Sequence, residues 1–329
     1  MILAGDIGGT KTNLAYFKSD HGKLTLLKTL GYPSREFASL DDVVRKFRDS
    51  FPADVECAAF GVPGPVVRGR TETTNLKWVV DSAPLADLLK LDHVGLLNDL
   101  QATAYGVLHL EARDKLVLNE GVPAHEGSMA VIAAGTGLGE SGLIWDGREY
   151  KAVASEGGHS DFAPRDDVED QLLIFLRGEF GRVSYERVVS GPGLRNLYRF
   201  FRTRVNYPEP EWLAKAIADG DPSAAVAQAA QGGKDEAASL ALERFVSLYG
   251  AEAGNLALKI LATGGVYVGG GIAPKVVAEL QEGSFMTSFK AKGRYSPLLA
   301  RMPVCVMLND RIALSGAAHF ALMNRDGNH

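Results

Sequence analysis

The chain has 329 residues and a net charge of −5, because 40 acidic residues outnumber 35 basic ones, and 46% of its residues are hydrophobic. Its length predicts two domains, since single hydrophobic cores rarely grow beyond about 250–300 residues. The acidic balance and the lack of a block of Lys or Arg argue against a nucleic-acid partner. No apolar run approaches the roughly 18–20 residues of a membrane span. The N-terminus also lacks the features of an export signal, so we expect a cytoplasmic protein with no membrane partner.

The N-terminal segment predicts a strand, a glycine loop and two further strands. Apolar runs at residues 2–4 and 14–17 flank GDIGGTKTN, residues 5–13. This stretch nearly matches the phosphate-binding P-loop, but Thr10 stands where that loop has its second glycine. A strand, not a helix, follows it. KLTLLKTLGY, residues 23–32, would complete a β-meander.

A helix and two buried strands are expected next. Helical spacing after Ser39 and an acidic pair predicts a helix over residues 41–51. VECAAFGV (55–62) and HVGLLND (93–99) are typical of buried strands. A helical pattern then runs from residue 100 to 110, so Asp99 lies where a strand gives way to a helix. Cys57 and Cys305, each flanked by apolar residues, are predicted to be buried core thiols.

The opening pattern returns at residues 129–145, as MAVIAAG, TGLGES and GLIW, and this repetition predicts two related α/β halves. Residues 166–260 are mostly helical in pattern. In the last long helix, Ala251, Gly254 and Ala257 would let a neighbouring element approach closely. TGGVYVGGGIAPKVVAEL (263–280) predicts a strand, a glycine turn and a helix, with Pro274 in its first turn. PVCVML (303–308) predicts a strand, and a helix is expected over residues 310–323.

Three glycine-rich stretches each follow a predicted strand, at residues 5–10, 135–139 and 269–271. Glycine lets the backbone approach a ligand, and successive N–H groups form an anion-binding concavity. The hydroxyls of Thr10 and Thr136 suit phosphate oxygens. Any one of the stretches alone could be a tight turn that binds nothing, but the three together favour phosphate binding.

Asp6 lies beside the first of these loops. A carboxylate next to a phosphate is unfavourable unless a cation intervenes, which favours Mg²⁺ bound to Asp6 through water. Alternatively, Asp6 caps a turn. Lys11 could reach a phosphate or point to solvent.

A second group of candidate site residues is polar and consists of Asn98, Asp99, Glu156, His159, Asp161 and Glu186. Acidic residues beside Gly-Gly or at the end of a strand are expected to be accessible to a ligand rather than buried. A metal site and a purely structural turn are the alternatives. We favour binding of a polyhydroxyl ligand, because carboxylate, amide and imidazole groups can match several hydroxyls.

Six segments, in this order and over nearly the whole chain, resemble the bacterial glucokinase family of the actin, hexokinase and Hsp70 superfamily: GDIGGTKTNLAYF, LLNDLQATAYG, AAGTGLGESGLIW, EGGHSDFAP, SYERVVSGPG and VYVGGGI. The resemblance implies an α/β fold of two actin-like (ribonuclease H-like) α/β domains with a cleft between them. The expected small domain is 1–110 plus about 301–329, the large domain is 111–300, and the hinge lies near 108–112.

The resemblance also implies ATP-dependent phosphorylation of glucose at the 6-hydroxyl, with Mg²⁺, by a homodimer. Asp99 resembles the catalytic base, and Asn98, Glu156, His159 and Glu186 resemble the glucose ligands. The nucleotide-binding positions implied are Gly5, Asp6, Ile7, Gly8, Gly9, Thr10, Gly135, Thr136, Gly137, Gly270 and Gly271. Asp6 would hold the Mg²⁺ through water.

Three alternatives bear on this interpretation. The related ROK sugar kinases share DIGGTK and a Glu-x-Gly-His motif, but a cysteine-rich zinc motif follows their His, whereas FAPRDDVED follows His159 here. A kinase for another hexose or an amino sugar is the nearest rival. A non-catalytic, nucleotide-switched actin-like protein is the other, although such a switch would not need the carboxylate cluster.

Overall fold

A computed structural model of the chain describes residues 1–73, 76–205 and 208–325. The described residues divide into two compact units. Unit 1 comprises Met1–Lys115, Ser141–Ala154 and the chain from Asn309 onward, and unit 2 comprises Leu116–Glu140 and Ser155–Leu308. The domain limits and the hinge expected from the sequence remain predictions.

The described residues form the following strands: β1 Ile2–Ile7, β2 Lys11–Asp20, β3 Lys23–Pro33, β4 Cys57–Val62, β5 Arg70–Glu72, β6 Val79–Asp81, β7 Gly95–Asn98, β8 Lys115–Asn119, β9 Met129–Ala134, β10 Leu138–Trp145, β11 Tyr150–Ser155, β12 Gly265–Gly269 and β13 Val304–Met307. Their α-helices are α1 Leu40–Ser50, α2 Ser82–Leu89, α3 Asp99–Val107, α4 Asp167–Phe180, α5 Gly191–Arg202, α6 Glu211–Asp219, α7 Pro222–Gln231, α8 Glu236–Ile260, α9 Val277–Gln281, α10 Ser284–Lys290, α11 Ser296–Arg301 and α12 Ile312–Met323. The predicted N-terminal meander is confirmed as β1, β2 and β3.

The first sheet has the strand order β3-β2-β1-β4-β7. β2 is antiparallel to both of its neighbours, whereas β1, β4 and β7 are parallel. Asp6 lies opposite Gly61, and Gly61 lies opposite Leu97. Because the carboxyl ends of parallel strands meet at one edge, the loop after β1 and the start of α3 share that edge of the sheet.

The second sheet has the order β11-β10-β9-β12-β13-β8, and β9, β12 and β13 are parallel. Its first five strands repeat the order of the first sheet, in which the third, second, first, fourth and fifth strands lie side by side. This repetition confirms the two related halves predicted from the returning glycine pattern.

The long helix α8 is the centre of the helical part of unit 2. Asp235 caps its N-terminus by accepting the Ala238 N–H at 2.8 Å. A Cβ added to Gly254 would lie 2.5 Å from the Phe289 carbonyl oxygen of α10. The close approach predicted for the small residues of this helix is therefore confirmed.

Some expectations differ from the structure. The helix predicted after the third glycine stretch is divided into a 3₁₀ turn, Ala273–Lys275, which contains Pro274, and the short α9. The short elements without a counterpart in the predictions include β8, β11, α2, α10 and α11. Both cysteines are buried, as predicted. Within the described ranges, no helix combines the length and apolar character needed to cross a membrane.

Candidate active site

The first glycine loop, residues 8–10, is a tight connection between β1 and β2. The Gly8 N–H donates to the Lys11 carbonyl at 3.0 Å, and a Cβ on Gly8 would lie 2.9 Å from that oxygen. Ser34 stabilises the loop, because its Oγ donates to the Gly8 carbonyl at 2.7 Å and lies 3.0 Å from Thr12 Oγ1. Thr10 remains exposed. Ser34 thus stabilises the backbone of the loop, and Thr10 of the same loop is accessible to a ligand.

Asp6 lies at the end of β1, directly before this loop. Its Oδ2 accepts from Asn13 Nδ2 at a long 3.5 Å. Burial raises the pKa of the Asp6 carboxyl, while the Asn13 hydrogen bond and the Lys11 charge lower it in part. A largely enclosed carboxylate with so little compensation would be stabilised by a cation, so the residues present fit the water-mediated Mg²⁺ expected from the sequence.

Asn98 and Asp99 mark the transition from β7 to α3, as predicted. Asn98 is the N-cap, since its Oδ1 accepts the Leu100 N–H at 2.8 Å, and its Nδ2 donates to the Gly64 carbonyl at 3.2 Å. Its Oδ1 also accepts the Gln101 backbone N–H in a capping box, so one Nδ2 hydrogen is left for a ligand. Asp99 is half-buried in the first helical turn, at the positive end of the helix dipole.

The second and third glycine loops, residues 135–137 and 269–271, lie together in unit 2. They follow β9 and β12, which pair in parallel with Gly269 opposite Ala133. A Cβ on Gly135 would be 3.9 Å from the Gly271 nitrogen. Gly270 has φ of +80°, and a Cβ there would lie 2.3 Å from the Ala134 carbonyl oxygen. Only glycine can adopt this positive φ and lie this close to the Ala134 carbonyl without displacing the neighbouring strand.

A cavity of about 580 Å³ adjoins these two loops, with Gly135, Thr136 and Gly271 on its wall. Four basic side chains also line it, namely Arg187, Arg195, Arg199 and Lys275. Arg199 pairs with Glu179 at 2.8 Å. A cavity that combines glycine N–H groups, a threonine hydroxyl and an excess of positive charge suits a ligand that carries phosphates.

The acid–histidine cluster, Glu156, His159 and Glu186, is brought together elsewhere in unit 2. His159 Nδ1 lies 3.8 Å from Glu186 Oε1, and His159 Nε2 lies 4.0 Å from Glu156 Oε2. Glu186 also accepts the Leu138 N–H at 3.0 Å, next to the second glycine loop. Glu156 and His159 are more than half exposed. These side chains can therefore exchange hydrogen bonds with a polar ligand.

Asp161 does not join the cluster. It forms an exposed ion pair with Arg182 at 2.7 Å. Among the described residues, no group of three or more His, Cys, Asp or Glu side chains is arranged to hold a metal ion.

Comparison with known proteins identifies the family. A family model described as Glucokinase matches residues 3–324. The chain belongs to the glucokinase family. A glucokinase of Nostoc sp. is 42% identical over 97% of this chain and 98% of its own length. The resemblance stated from six sequence segments is thereby confirmed for this glucokinase-family chain.

Solved structures confirm the fold. A glucokinase from an Antarctic psychrotroph superposes with a TM-score of 0.87 at 30% identity, covering 98% of both chains. A ROK family glucokinase from Streptomyces griseus, in complex with glucose and AMPPNP, has a TM-score of 0.64 at 22% identity and covers 98% of this chain and 99% of its own. The glucokinase-family chain therefore has the expected actin-like fold of two α/β domains.

Sequence reasoning missed three sets of residues around the glucokinase site. Ser34 supports the first loop from a turn 24 or more positions away, and no local pattern marks it. The basic lining of the cavity lies partly on α5, whose helical pattern conceals which side chains face a ligand. Glu140 and Glu252 are buried behind the acid–histidine cluster; the only signal is an acid in the middle of an apolar strand and another within an alanine-rich helix.

Proposed function

We propose that this chain transfers the γ-phosphoryl group of ATP to the 6-hydroxyl of glucose. The observation that carries the proposal is the acid–histidine cluster, which adjoins a glycine loop of the kind that binds phosphate: Glu186 contacts both His159 and the backbone of Leu138. The 42% identity to a glucokinase of Nostoc sp. supports the proposal.

In this proposal the acid–histidine cluster binds the sugar. Carboxylates accept hydrogen bonds from sugar hydroxyls, and the imidazole of His159 can donate or accept. A sugar lacking one of these hydroxyls would leave a polar group unsatisfied, which is how such a site distinguishes substrates. Asn98 contributes its remaining amide hydrogen.

Asp99 is the proposed general base. It accepts the proton of the 6-hydroxyl as the oxygen attacks the phosphorus atom. The transition state of phosphoryl transfer is loose, so the proton is transferred late and an ordinary carboxylate is sufficient. The start of α3 fixes the direction of this side chain, and Asn98 fixes the start of α3.

ATP is the proposed donor. Its adenosine part would occupy the cavity beside Gly135 and Gly271, and the family resemblance assigns its phosphates to the glycine loops that carry Thr136 in unit 2 and Thr10 in unit 1. Mg²⁺ bound to the phosphates, and through water to Asp6, would neutralise charge on the transferred group. The backbone N–H groups hold the phosphates in line with the acceptor.

Two finer proposals accompany this one. A cytoplasmic location follows from the supply of ATP there, and a homodimer follows from the resemblance to bacterial glucokinases. Light scattering on the purified protein tests the second, since a homodimer has twice the mass of one chain.

A coupled ADP-release assay over a panel of sugars tests the proposed function. With ATP and Mg²⁺ we expect glucose to give the highest kcat/KM, with mannose, fructose and glucosamine lower and no release without sugar. Preference for another sugar would reassign the substrate. Release that does not depend on sugar would refute the kinase proposal and favour a nucleotide-switched protein.

A further inference from the structure

Two buried acids lie behind the acid–histidine cluster. Glu140 on β10 and Glu252 on α8 are 1% and 0% exposed, and their carboxyl groups are within hydrogen-bonding reach of each other. Two carboxylates this close in a dry interior do not both ionise. Burial and this proximity therefore favour the protonated form of one of the two carboxyl groups.

Glu140 is in contact with the segment that carries two members of the cluster. A Cβ on Gly157 would lie 2.0 Å from Glu140 Oε2, so this oxygen packs directly on the Gly157 backbone. Gly157 lies between Glu156 and His159. The other oxygen, Glu140 Oε1, is buried without a hydrogen-bond donor from the described side chains or backbone. A charge on Glu140 would therefore be poorly compensated.

Glu252 has the compensation that Glu140 lacks. It accepts from Asn255 Nδ2 at 2.8 Å and from Lys259 Nζ at 3.4 Å. Asn255 Nδ2 also donates to the Tyr185 hydroxyl at 3.1 Å, and Tyr185 directly precedes Glu186. The negative charge of the pair thus belongs on Glu252 and the proton on Glu140. The hydrogen bonds and contacts of Glu140 and Glu252 therefore reach both segments that carry the cluster, at Gly157 and at Tyr185.

The titratable and charged groups around the pair come from several elements of unit 2. They are Lys259 and Tyr249 of α8, Tyr185 beside the cluster, Lys292 after α10, and Arg165 before α4. Burial, followed by the charge of Glu252, raises the pKa of Glu140 to about 8, against the lowering effect of Lys259. Burial and Arg165 lower the pKa of Lys292 to about 8 as well.

We propose that Glu140 is a positioning residue for sugar binding: protonated and hydrogen-bonded to Glu252, it holds Gly157 so that Glu156 and His159 keep the geometry that binds the sugar. This inference rests on the proposed function. Loss of the proton to solvent places a second negative charge against Glu252. The two carboxyl groups then repel each other, and Gly157 moves with Glu140.

The first test uses the unmodified protein at pH 7, 8 and 9. If only the protonated form binds sugar well, about a tenth of the protein is competent at pH 9, so KM for glucose and the Kd from calorimetry should rise about tenfold. KM for ATP should change little, because the nucleotide cavity is built from other residues. A glucose Kd that is constant from pH 7 to 9 would overturn the proposal without any variant.

The second test separates Glu140 from Lys292, which titrates in the same range. Glu140→Gln keeps the shape and the hydrogen bond but cannot ionise, so its glucose KM should stay flat from pH 7 to 9. Glu252→Gln removes the repulsion from the other side and should also flatten the profile. In the matched control, Lys292→Gln, which can still donate to Asn255, the tenfold rise should persist. A rise that persists in Glu140→Gln and disappears in Lys292→Gln would assign the effect to the lysine.

The outcomes distinguish this inference from the function on which it rests. Absence of glucose-dependent ADP release by the unmodified protein at pH 7 would refute the proposed function. Normal release at pH 7 combined with a pH-independent glucose KM would refute only the positioning role of Glu140.

Discussion

The two strand–loop–strand hairpins of the molecule share a topology but are stabilised in different ways. In unit 1 a side chain holds the first glycine loop, since Ser34 Oγ donates to the Gly8 carbonyl at 2.7 Å. In unit 2 the backbone does so: the Gly191 N–H donates to the Gly135 carbonyl at 2.8 Å, and Gly270 packs against Ala134. The same sheet order can therefore support a glycine loop through a hydroxyl or through close backbone packing.

The position of the acid differs as well. Asp6 precedes the first loop and lies at its entrance, where it fits a cation. Glu140 follows the second loop and points into the interior, where it meets another acid and the Gly157 backbone. Under the proposed function, the two acids on equivalent hairpins would therefore have different partners: a phosphate-bound cation for Asp6 and the proposed sugar-binding segment for Glu140.

The largest expected effects are on catalysis, and they differ between a residue of unit 1 and a residue of unit 2. Asp99→Ala in unit 1 should lower kcat by about 10²–10⁴-fold, the usual contribution of a general base, with a smaller change in KM for glucose. Glu186→Gln in unit 2 should mainly raise that KM. Steady-state ADP release measures both. Asp87→Ala, an exposed acid on α2, is the control and should match the unmodified protein, and equal kcat values in Asp99→Ala and the control would remove the base assignment.

The comparison of the two loops predicts unequal costs of substitution. Gly270→Ala should destabilise the protein by about 2–4 kcal/mol, because the added methyl group meets the Ala134 carbonyl at a positive φ. Ser34→Ala should cost about 1 kcal/mol, the value of a hydrogen bond. Gly271→Ala is the matched control, since a Cβ there has no neighbour within 4 Å. Thermal unfolding that gives equal Tm losses for Gly270→Ala and Gly271→Ala would contradict this account of the second hairpin.

The smallest expected effect concerns a half-buried histidine pair in unit 1. His109 Nε2 lies 2.9 Å from His319 Nδ1, and burial, followed by the charge of His109, lowers the pKa of His319 to about 4. Burial also lowers the pKa of His109. A depressed pKa contributes stability that is complete above about 6.5 and is lost as the pH falls toward about 4. The raised pKa of Glu140 acts in the opposite direction, because its contribution is lost as the pH rises from about 4.5 to about 8.

Because Glu140 offsets it over the same range, the effect of the histidine pair is the difference between the unmodified protein and His319→Gln: we expect the pair to lower the free energy of unfolding by about 1–2 kcal/mol between pH 7 and pH 5. Denaturant titrations at the two pH values measure this loss. His319→Gln should reduce it, whereas the exposed His125→Gln should leave it unchanged. The same loss in all three proteins would show that other groups control acid stability.

The sequence predicted the elements that carry a local signature. Ser39 and its acidic neighbours marked the start of α1, and the cap is present, since Ser39 accepts the Asp42 N–H. The apolar runs that flank GDIGGTKTN predicted the first hairpin, because they too are a local signature. Asn98 and Asp99 were placed correctly at a strand end because the apolar run stops there.

The parts that could not be predicted depend on distant contacts. Glu252 lies in a helix whose small residues dominate the pattern, and its partner Glu140 is more than a hundred positions away. The short helices α10 and α11 contain too few turns for a clear 3.6-residue period. The basic lining of the cavity arises from how α5 is rotated in unit 2, which the packing of that helix determines and its own periodicity does not.

The most direct test of the central claim is transfer of the γ-phosphoryl label of ATP. With γ-labelled ATP, Mg²⁺ and glucose, the account predicts that label appears in glucose 6-phosphate in step with ADP formation, and that Asp99→Asn loses this transfer while still binding glucose in calorimetry. Label recovered only as inorganic phosphate, at a rate that glucose does not change, would contradict it.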